Sequence, residues 1–118
     1  MTATNGKAMK AKGSQFEREV VAHLKANGFP YCERHYGAGR PDDVGDIDGI
    51  VGWTLECKNH RALELSAWMT EAECERVNGR QSFAAVVAKR RGKPVEQSYV
   101  VMTLDTFARL LADESVTP

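Results

Sequence analysis

Apolar residues at helical spacing mark the first element of the 118-residue chain. They are Phe16, Val20, Val21 and Leu24. Spacings of three and four residues are typical of a helix with one buried face. Ser14 followed by Glu17 matches a capping box, and the Asn-Gly pair at 27–28 is a common helix stop. The pattern therefore predicts a first helix over about residues 14–27.

Three short, partly apolar runs follow, separated by residues that favour turns. They are PYCERHY (30–36), DIDGIV (46–51) and WTLECKN (53–59). Runs of this length and composition predict strands, and the stretch GAGRPDDVG between the first two is typical of a loop. Gly52 occupies the turn between the second and third runs. We expect three strands here, of which the last two form a hairpin.

The second half of the chain predicts a helix, two strands and a closing helix. Ser66 or Thr70 could cap the first of these helices, and the Asn-Gly pair at 78–79 would end it. The uninterrupted run SFAAVVAK predicts a central strand, QSYVVM predicts a returning strand, and Thr103 begins the last helix. The result is an αβββαβ core followed by a further strand and a C-terminal helix. This order favours an α/β fold whose mixed central sheet is flanked by helices.

One folded domain is expected, because 118 residues, 42% of them hydrophobic, can bury a single core. Residues 1–12 contain lysines but no apolar run, so we expect a flexible basic arm before a single domain over residues 13–118. No run approaches the roughly 18 apolar residues of a membrane span, and none resembles a secretory signal. The three cysteines fit neither a disulfide framework nor a zinc site, so we expect reduced thiols and a cytoplasmic protein.

The overall charge leaves the type of partner open. The 16 basic and 16 acidic residues sum to zero, which argues against a protein that coats nucleic acid by its net charge. Acidic residues gather in PDDVGDID and EAECE, whereas basic residues gather in AKRRGK and near the N-terminus. A site that holds metal with carboxylates beside a basic rim would also sum to near zero.

The stretch GDIDGIVGWTLECKNH carries the candidate chemistry. Glu56 and Lys58 are two residues apart, so in a strand their side chains point to the same face. Asp46 lies ten residues before Glu56 across the Gly52 turn, and paired strands are only about 5 Å apart. Two carboxylates at that distance repel each other unless a cation lies between them. Mg²⁺ suits such a site because it takes one or two carboxylates and keeps several waters.

Two alternatives to this interpretation are open at the level of sequence. Asp48 shares a strand face with Asp46 and could be the metal ligand in its place. The Glu-x-Lys pair taken alone is more typical of the solvent-facing side of an ordinary strand. Asp46 is favoured over Asp48 but the choice stays open, whereas the GDI stretch and the first helix favour a functional role for the Glu-x-Lys pair.

Together with the residues upstream, this stretch resembles the PD-(D/E)xK nuclease superfamily. KGSQFEREVVAHLKANGF is similar to the first helix of archaeal-type Holliday junction resolvases. The loop GAGRPDDVG, the strand start GDI (45–47) and the strand end ECK (56–58) follow in the family's order, over about residues 12–60. The element order also resembles small phage-encoded, resolvase-like endonucleases. Gly45 stands where the family commonly has proline, and the spacing from Asp46 to Glu56 is shorter than in the archaeal proteins.

The resemblance implies a restriction-endonuclease-like fold and a set of site residues. Asp46 and Glu56, joined by the backbone carbonyl of Cys57, would bind Mg²⁺, for which Mn²⁺ could substitute. Glu17 would be a fourth active-site residue, an acid that completes the metal site, unless it serves only the helix cap. Lys58 would position the attacking water and stabilise charge on the phosphate. Candidate contacts to the DNA backbone are Lys12, Ser14, Arg40, Lys89, Arg90 and Arg91.

The implied function is Mg²⁺-dependent hydrolysis of DNA phosphodiesters by in-line attack of water. The likeness of the first helix favours a four-way junction in recombination or repair as the substrate. A junction resolvase needs two active sites, which implies a homodimer. A nicking, repair or restriction-type endonuclease is the nearest alternative. The competing class is a non-catalytic DNA-binding or interaction module, in which the acids serve structure and AKRRGK is an ordinary solvated turn.

Overall fold

The computed structural model describes residues 6–36 and 42–113. This part of the chain forms three helices and five strands. The helices are α1 (Gly6–Ala26), α2 (Leu65–Asn78) and α3 (Leu104–Ala112). The strands are β1 (Glu33–Arg34), β2 (Ile47–Asp48), β3 (Trp53–Lys58), β4 (Phe83–Ala88) and β5 (Tyr99–Val101), with a 3-10 turn at Val95–Gln97 before β5. The predicted order of a helix, three strands, a helix, two strands and a helix is confirmed.

The strands form one mixed sheet in the order β1-β2-β3-β4-β5. β3 and β4 are parallel and the other neighbouring strands are antiparallel. α2 is the crossover connection that a parallel pair requires. β4, predicted as a central strand, lies inside the sheet between β3 and β5. The fold is therefore the mixed α/β architecture with a C-terminal helix that the sequence predicted.

Helices cover both faces of β4, which explains its uninterrupted apolar sequence. Residues 84–88 are all buried. On one face Val86 packs in a cluster with Trp68 of α2, and on the other Val87 packs in a cluster with Phe16 of α1. A strand that is buried on both sides has no position for a polar residue. The sheet thus separates two core layers, with α1 and α2 on opposite sides.

α1 is longer than the sequence pattern predicted. Residues 6–12 form its first turns instead of a flexible arm, while residues 1–5 lie outside the described part of the chain. The stretch AMKAK consists of strong helix formers, so the helix continues upstream of its apolar face. Ser14 therefore lies inside the helix and is not its N-cap. α1 has 21 residues, but no helix within residues 6–36 and 42–113 is both long and apolar enough to cross a membrane.

The predicted caps of α2 are wrong, although its end is confirmed. α2 begins at Leu65, and Glu64 at the N-cap position makes no side-chain capping bond. Thr70 lies inside the helix, where its hydroxyl donates to the carbonyl of Ser66 at 3.1 Å. The helix ends at Asn78, as the Asn-Gly pair predicted. Burial of the α2 face against the sheet, rather than a local cap, therefore fixes where this helix lies.

The predicted start of the last helix is confirmed, whereas the first two strands are shorter than expected. Thr103 is the N-cap of α3, and its Oγ1 accepts a hydrogen bond from the backbone N–H of Thr106 at 3.1 Å. β1 and β2 have two residues each. β2 ends where Gly49 takes a φ of +90°, which is outside the extended conformation. The regular part of the predicted second strand is therefore brief.

The β2–β3 hairpin brings Asp46 next to β3. Ile47 pairs with Leu55, and the backbone N–H of Asp46 donates to the Leu55 carbonyl at 2.9 Å. On its other side the hairpin packs closely against the backbone at Tyr31. A Cβ atom on Gly49 would overlap the carbonyl oxygen of Tyr31, so only glycine fits at this position.

Replacing Gly49 with alanine should lower the free energy of unfolding by more than about 1 kcal/mol, because the new methyl group would meet the Tyr31 carbonyl. Gly52→Ala is the matched control, since Gly52 also has a positive φ (+84°) but open space at the Cβ position. Urea unfolding followed by circular dichroism measures both variants. Equal losses in the two would contradict a structural role for the contact with Tyr31.

Candidate active site

A cavity of about 680 Å³ lies at the carboxyl end of β3, beside the first half of α1. Its lining includes Glu17, Asp46, Glu56, Cys57 and Lys58. These are the residues that the sequence predicted as metal ligands and as the catalytic lysine. They come from a helix, a hairpin and a strand, and the fold brings them to one cavity.

The hairpin register places the carboxyl groups of Asp46 and Glu56 together. The backbone N–H of Cys57 donates to Asp46 Oδ2 at 2.8 Å, which turns the Asp46 side chain toward β3. Both side chains line the cavity, and their carboxyl groups are close enough to influence each other's pKa. Asp46 is 7% exposed and Glu56 is 5% exposed. Two nearly buried acids in contact require a shared proton or a cation.

Asp48, the alternative to Asp46, points elsewhere. Its Oδ2 lies 2.9 Å from Nδ1 of His35, and its side chain is 44% exposed. It does not belong to the lining of the cavity. Of the two aspartates, Asp46 is therefore the one that joins Glu56.

Arg34 of β1 connects the N-terminal helix to the sheet at the edge of the cavity. Its Nε donates to Glu17 Oε1 at 3.0 Å, and its Nη2 donates to Ser14 Oγ at 3.1 Å. This contact holds Glu17 with its carboxylate at the cavity wall. Ser14, predicted as a DNA contact, is occupied by Arg34 and is not part of the lining. Sequence reasoning missed Arg34, because nothing in the local pattern YCERHY indicates its partner.

Lys58 connects the cavity to α2 on the other side of β3. Its Nζ lies 3.3 Å from Glu56 Oε2 and 2.6 Å from Glu71 Oε1. The side chain of Lys58 is 15% exposed, so this is a largely buried ammonium group shared by two carboxylates. Glu71 was not predicted as a site residue, and it is the closest partner of the lysine.

Glu75, one turn after Glu71 on α2, was also missed. Glu75 is 4% exposed, and its Oε1 is buried with no hydrogen-bond partner. The sequence does carry a signal for it, because Trp68, Ala72 and Glu75 follow the i, i+4, i+7 spacing of one helix face. An acid on the buried face of a helix is expensive unless it is paired or protonated, and such acids are concentrated at functional sites.

Glu56, Glu71 and Glu75 form a compact acidic cluster. One carboxylate oxygen from each lies within 4.8 Å of the others. Glu71 and Glu75 do not line the cavity that contains Asp46. Glu56 therefore belongs to two groups of acids, one at the cavity and one at the contact between β3 and α2.

The buried carboxyl groups hold their protons strongly. Burial raises the pKa of Glu56 to about 12, and the adjacent Glu71 and Asp46 add to the effect. Burial also raises the pKa of Asp46, although the hydrogen bond from the Cys57 backbone opposes this. Burial alone would lower the pKa of Lys58, but Glu71 and Glu56 outweigh it and raise that pKa. The lysine is therefore a stable cation among acids that repel one another.

The cysteine between Glu56 and Lys58 faces the opposite side of the sheet. Cys57 packs against the core layer under α1, and burial raises the pKa of its thiol well above the ordinary value. Cys32 is buried in the same layer, and burial raises its pKa too. Cys74 on α2 is exposed, and none of the three cysteines is in a disulfide. At the cavity, Cys57 offers its backbone and not its sulfur.

The rim of the cavity is basic. Exposed residues that line it are Lys10, Lys12, Arg61 and Arg91. The residues predicted to contact DNA differ in their position relative to this cavity. Lys12 and Arg91 are at the cavity, Lys89 borders a smaller adjoining cavity of about 210 Å³, and Arg90 lies 5.7 Å from the centre of the Tyr99 ring. Arg40 lies outside the described residues.

The atoms available at the cavity suit a hard divalent cation. Asp46, Glu56 and Glu17 offer carboxylate oxygens, and the backbone of Cys57 offers a carbonyl oxygen. Mg²⁺ and Mn²⁺ prefer oxygen ligands of this kind. A cation there would also compensate the repulsion between Asp46 and Glu56 that is otherwise relieved by a proton.

Comparison with known proteins identifies no relative for this chain: no protein-family model matches it, no curated protein matches it, and no solved structure matches it.

In a metal-free buffer, Glu75→Gln should stabilise the protein at pH 7 and above. Burial raises the pKa of Glu75 to about 7, from an ordinary value of 4.5 that the unfolded chain is expected to have. Between these values the folded chain keeps a proton that the unfolded chain has lost, so stability falls as pH rises through this interval. Removing the carboxyl group removes that loss, which is at most about 3 kcal/mol.

The melting temperature measured by circular dichroism in EDTA between pH 5 and 8 tests this. Glu73→Gln is the control on the same helix, because Glu73 is partly exposed and accepts a hydrogen bond from Arg76. It should keep the wild-type pH dependence. A Glu75→Gln variant with the wild-type pH dependence would refute a buried, protonated Glu75.

Proposed function

We propose that this protein is a Mg²⁺-dependent endodeoxyribonuclease of the PD-(D/E)xK type, acting on DNA phosphodiester bonds. The observation that supports this best is the convergence of Glu17, Asp46, Glu56 and Lys58 on one cavity. Nothing about a hairpin, a strand and a distant helix requires these side chains to meet. Acids and a lysine that meet in a cleft with shifted pKa values are characteristic of a catalytic site.

The proposed metal ligands are Asp46, Glu56, Glu17 and the backbone carbonyl of Cys57, with Mn²⁺ as a substitute for Mg²⁺. A divalent ion bound there supplies charge compensation at the phosphate and lowers the pKa of the attacking water. The backbone N–H of Cys57 orients Asp46, and Arg34 orients Glu17. Both acids are thus held in place before any ligand arrives, which reduces the reorganisation needed for binding.

Lys58 acts in this proposal as a donor and not as a base. Its raised pKa keeps the ammonium group charged at neutral pH. A charged donor can hold the attacking water and a phosphate oxygen, and it offsets the negative charge that develops during hydrolysis. Glu71 limits where the ammonium group can go, because it binds Nζ from the α2 side.

The basic rim would hold the phosphate backbone of the DNA. Lys10, Lys12, Arg61 and Arg91 are exposed around the opening, whereas the acids lie deeper. Such contacts position a nucleic acid without selecting its sequence. A protein with no net charge can therefore still bind a polyanion at this rim.

We extend the proposal to branched DNA, and specifically to a four-way junction cut by a homodimer. The support is the resemblance of the first helix to that of junction resolvases. One chain contributes one proposed active site, and the paired cuts that resolve a junction need two active sites. Cleavage confined to linear duplex, or a monomeric enzyme that cuts junctions, would restrict the proposal to a general endonuclease.

Asp46→Asn should reduce Mg²⁺-dependent DNA cleavage by at least about 100-fold, because it removes the charge of a proposed metal ligand and so weakens the binding of the ion that activates the water. Asp48→Asn is the matched control and should cleave at close to the wild-type rate, since Asp48 lies outside the cavity and pairs with His35. A synthetic junction, its linear duplex and a single strand, each end-labelled, serve as substrates with Mg²⁺ and with EDTA.

Lys58→Met should lose activity to a similar extent while still binding DNA. If wild type cleaves none of the three substrates in Mg²⁺ or Mn²⁺, the nuclease proposal is wrong. If it cleaves and Asp46→Asn cleaves equally well, the assignment of the site is wrong.

Arg91→Ala should weaken DNA binding several-fold and reduce the slope of log affinity against log salt concentration by about 1, because one phosphate contact is lost. Arg90→Ala is the neighbouring control, since Arg90 lies over the Tyr99 ring and away from the cavity. Fluorescence anisotropy in EDTA measures binding without cleavage. A larger loss for Arg90→Ala than for Arg91→Ala would place the DNA on a different surface.

A further inference from the structure

The acidic cluster between β3 and α2 is the feature that the proposed nuclease mechanism leaves unexplained. Glu56 serves the cavity, but Glu71 and Glu75 do not line it. We infer that Glu56, Glu71 and Glu75 form a second divalent-cation site, so that Glu56 lies between two ions. The inference concerns the binding of metal, and it does not require the chain to be a nuclease.

The spacing of the three carboxylates fits a single ion. One oxygen from each lies within 4.8 Å of the others. Oxygen ligands lie about 2.1 Å from Mg²⁺ and about 2.3–2.6 Å from Ca²⁺, so opposite ligands of one ion are roughly 4–5 Å apart. The cluster can therefore close on an ion by small side-chain movements, with no rearrangement of α2.

Two buried oxygens in the cluster lack a hydrogen-bond donor. They are Oε1 of Glu75 and Oε1 of Glu56. Glu75 is 4% exposed and Glu56 is 5% exposed, so water reaches neither side chain freely. Buried acceptors without a donor are rare in folded proteins. A cation at the cluster would satisfy both oxygens at once.

The local charge also favours a cation. Glu56 lies with Glu71 and Glu75 in the cluster and with Asp46 at the cavity, and within the described residues Lys58 is the cation that pairs with Glu56 and Glu71. Four carboxyl groups and one ammonium group leave an excess of acidic groups around Glu56, and like charges at this distance repel one another. A divalent ion at the cluster would offset this excess of negative charge.

Burial selects the type of ion. Glu71 is 43% exposed and gives access to the cluster, whereas Glu56 and Glu75 are almost fully covered. An ion that enters must exchange most of its water for protein oxygens. Mg²⁺ gives up water reluctantly, and Ca²⁺ accepts irregular sets of oxygen ligands. The second site should therefore prefer Mn²⁺ or Ca²⁺ to Mg²⁺.

Lys58 and the second ion compete for Glu71. Nζ of Lys58 is bound to Glu71 Oε1 and lies 3.3 Å from Glu56 Oε2. An ion at the cluster repels the ammonium group and displaces it from Glu71 toward the cavity. Removing the ammonium group should accordingly strengthen the binding of Mn²⁺ at this site.

The experiment counts Mn²⁺ ions bound to the full chain, from the loss of the free Mn²⁺ signal in electron paramagnetic resonance. Wild type should bind two ions. Asp46→Asn should weaken Mn²⁺ binding at the cavity at least tenfold and leave the cluster site unchanged. Glu75→Gln should weaken Mn²⁺ binding at the cluster at least tenfold and leave the cavity site unchanged. In the Asp46→Asn background, Lys58→Met should bind the remaining ion several-fold more tightly.

Glu73→Gln is the matched control on α2, because Glu73 pairs with Arg76 and is not part of the cluster. It should bind Mn²⁺ as wild type does. Glu71→Gln, which changes an exposed side chain, provides a second test if Glu75→Gln does not fold. Far-ultraviolet circular dichroism verifies the fold of each variant.

The inference is overturned if Glu71→Gln and Glu75→Gln bind as many Mn²⁺ ions as wild type with unchanged affinity. It is also overturned if Asp46→Asn abolishes all binding. Its failure is distinct from failure of the nuclease proposal, because cleavage is measured separately. A chain that cuts no DNA but binds an ion through Glu75 would support this inference alone.

Discussion

The contact of one buried carboxyl group with several others determines the organisation of this site. Glu56 meets Asp46 from the β2–β3 hairpin and Glu71 from α2, and both Glu56 and Asp46 are buried away from most water. Water would otherwise screen the repulsion between them. The protein compensates it with Lys58 and with protons, of which Glu56 holds one with a pKa of about 12. Such an arrangement opposes stability, and chains retain it where a ligand or a reaction depends on it.

Most of the fold could be predicted from local patterns, because each element buries a face that its own sequence displays. The apolar run of β4 reflects cover by helices on both sides, and Thr103 caps α3 through a bond to a residue three positions away. The predicted starts of α1 and α2 were wrong, because effects outside the local capping pattern determine where these helices begin. Ser14 matches a capping box, yet the helix formers before it extend α1 to Gly6. α2 begins without a side-chain cap, and the buried Trp68 in its first turns holds it against the sheet.

The candidate site was predictable only in the part that a hairpin brings together. Asp46 and Glu56 are linked by one turn, so the strand register could be anticipated. The sequence could not show that Asp46, and not Asp48, joins Glu56. Asp46 precedes the two-residue strand β2, so the alternation of side chains along a strand does not apply to Asp46. The partners on other elements depend on tertiary packing. Arg34 of β1 pairs with Glu17 of α1, and Glu71 meets Lys58 because α2 packs against β3.

The different environments of the three cysteines have a practical consequence. Cys32 and Cys57 are shielded, and burial raises the pKa of each thiol, so little reactive thiolate forms at either. Cys74 is exposed on α2, the helix that carries Glu71 and Glu75. A maleimide dye or spin label should therefore react first with Cys74, on the exposed side of α2. The unmodified chain thus already carries an attachment point from which small movements of α2 can be followed spectroscopically.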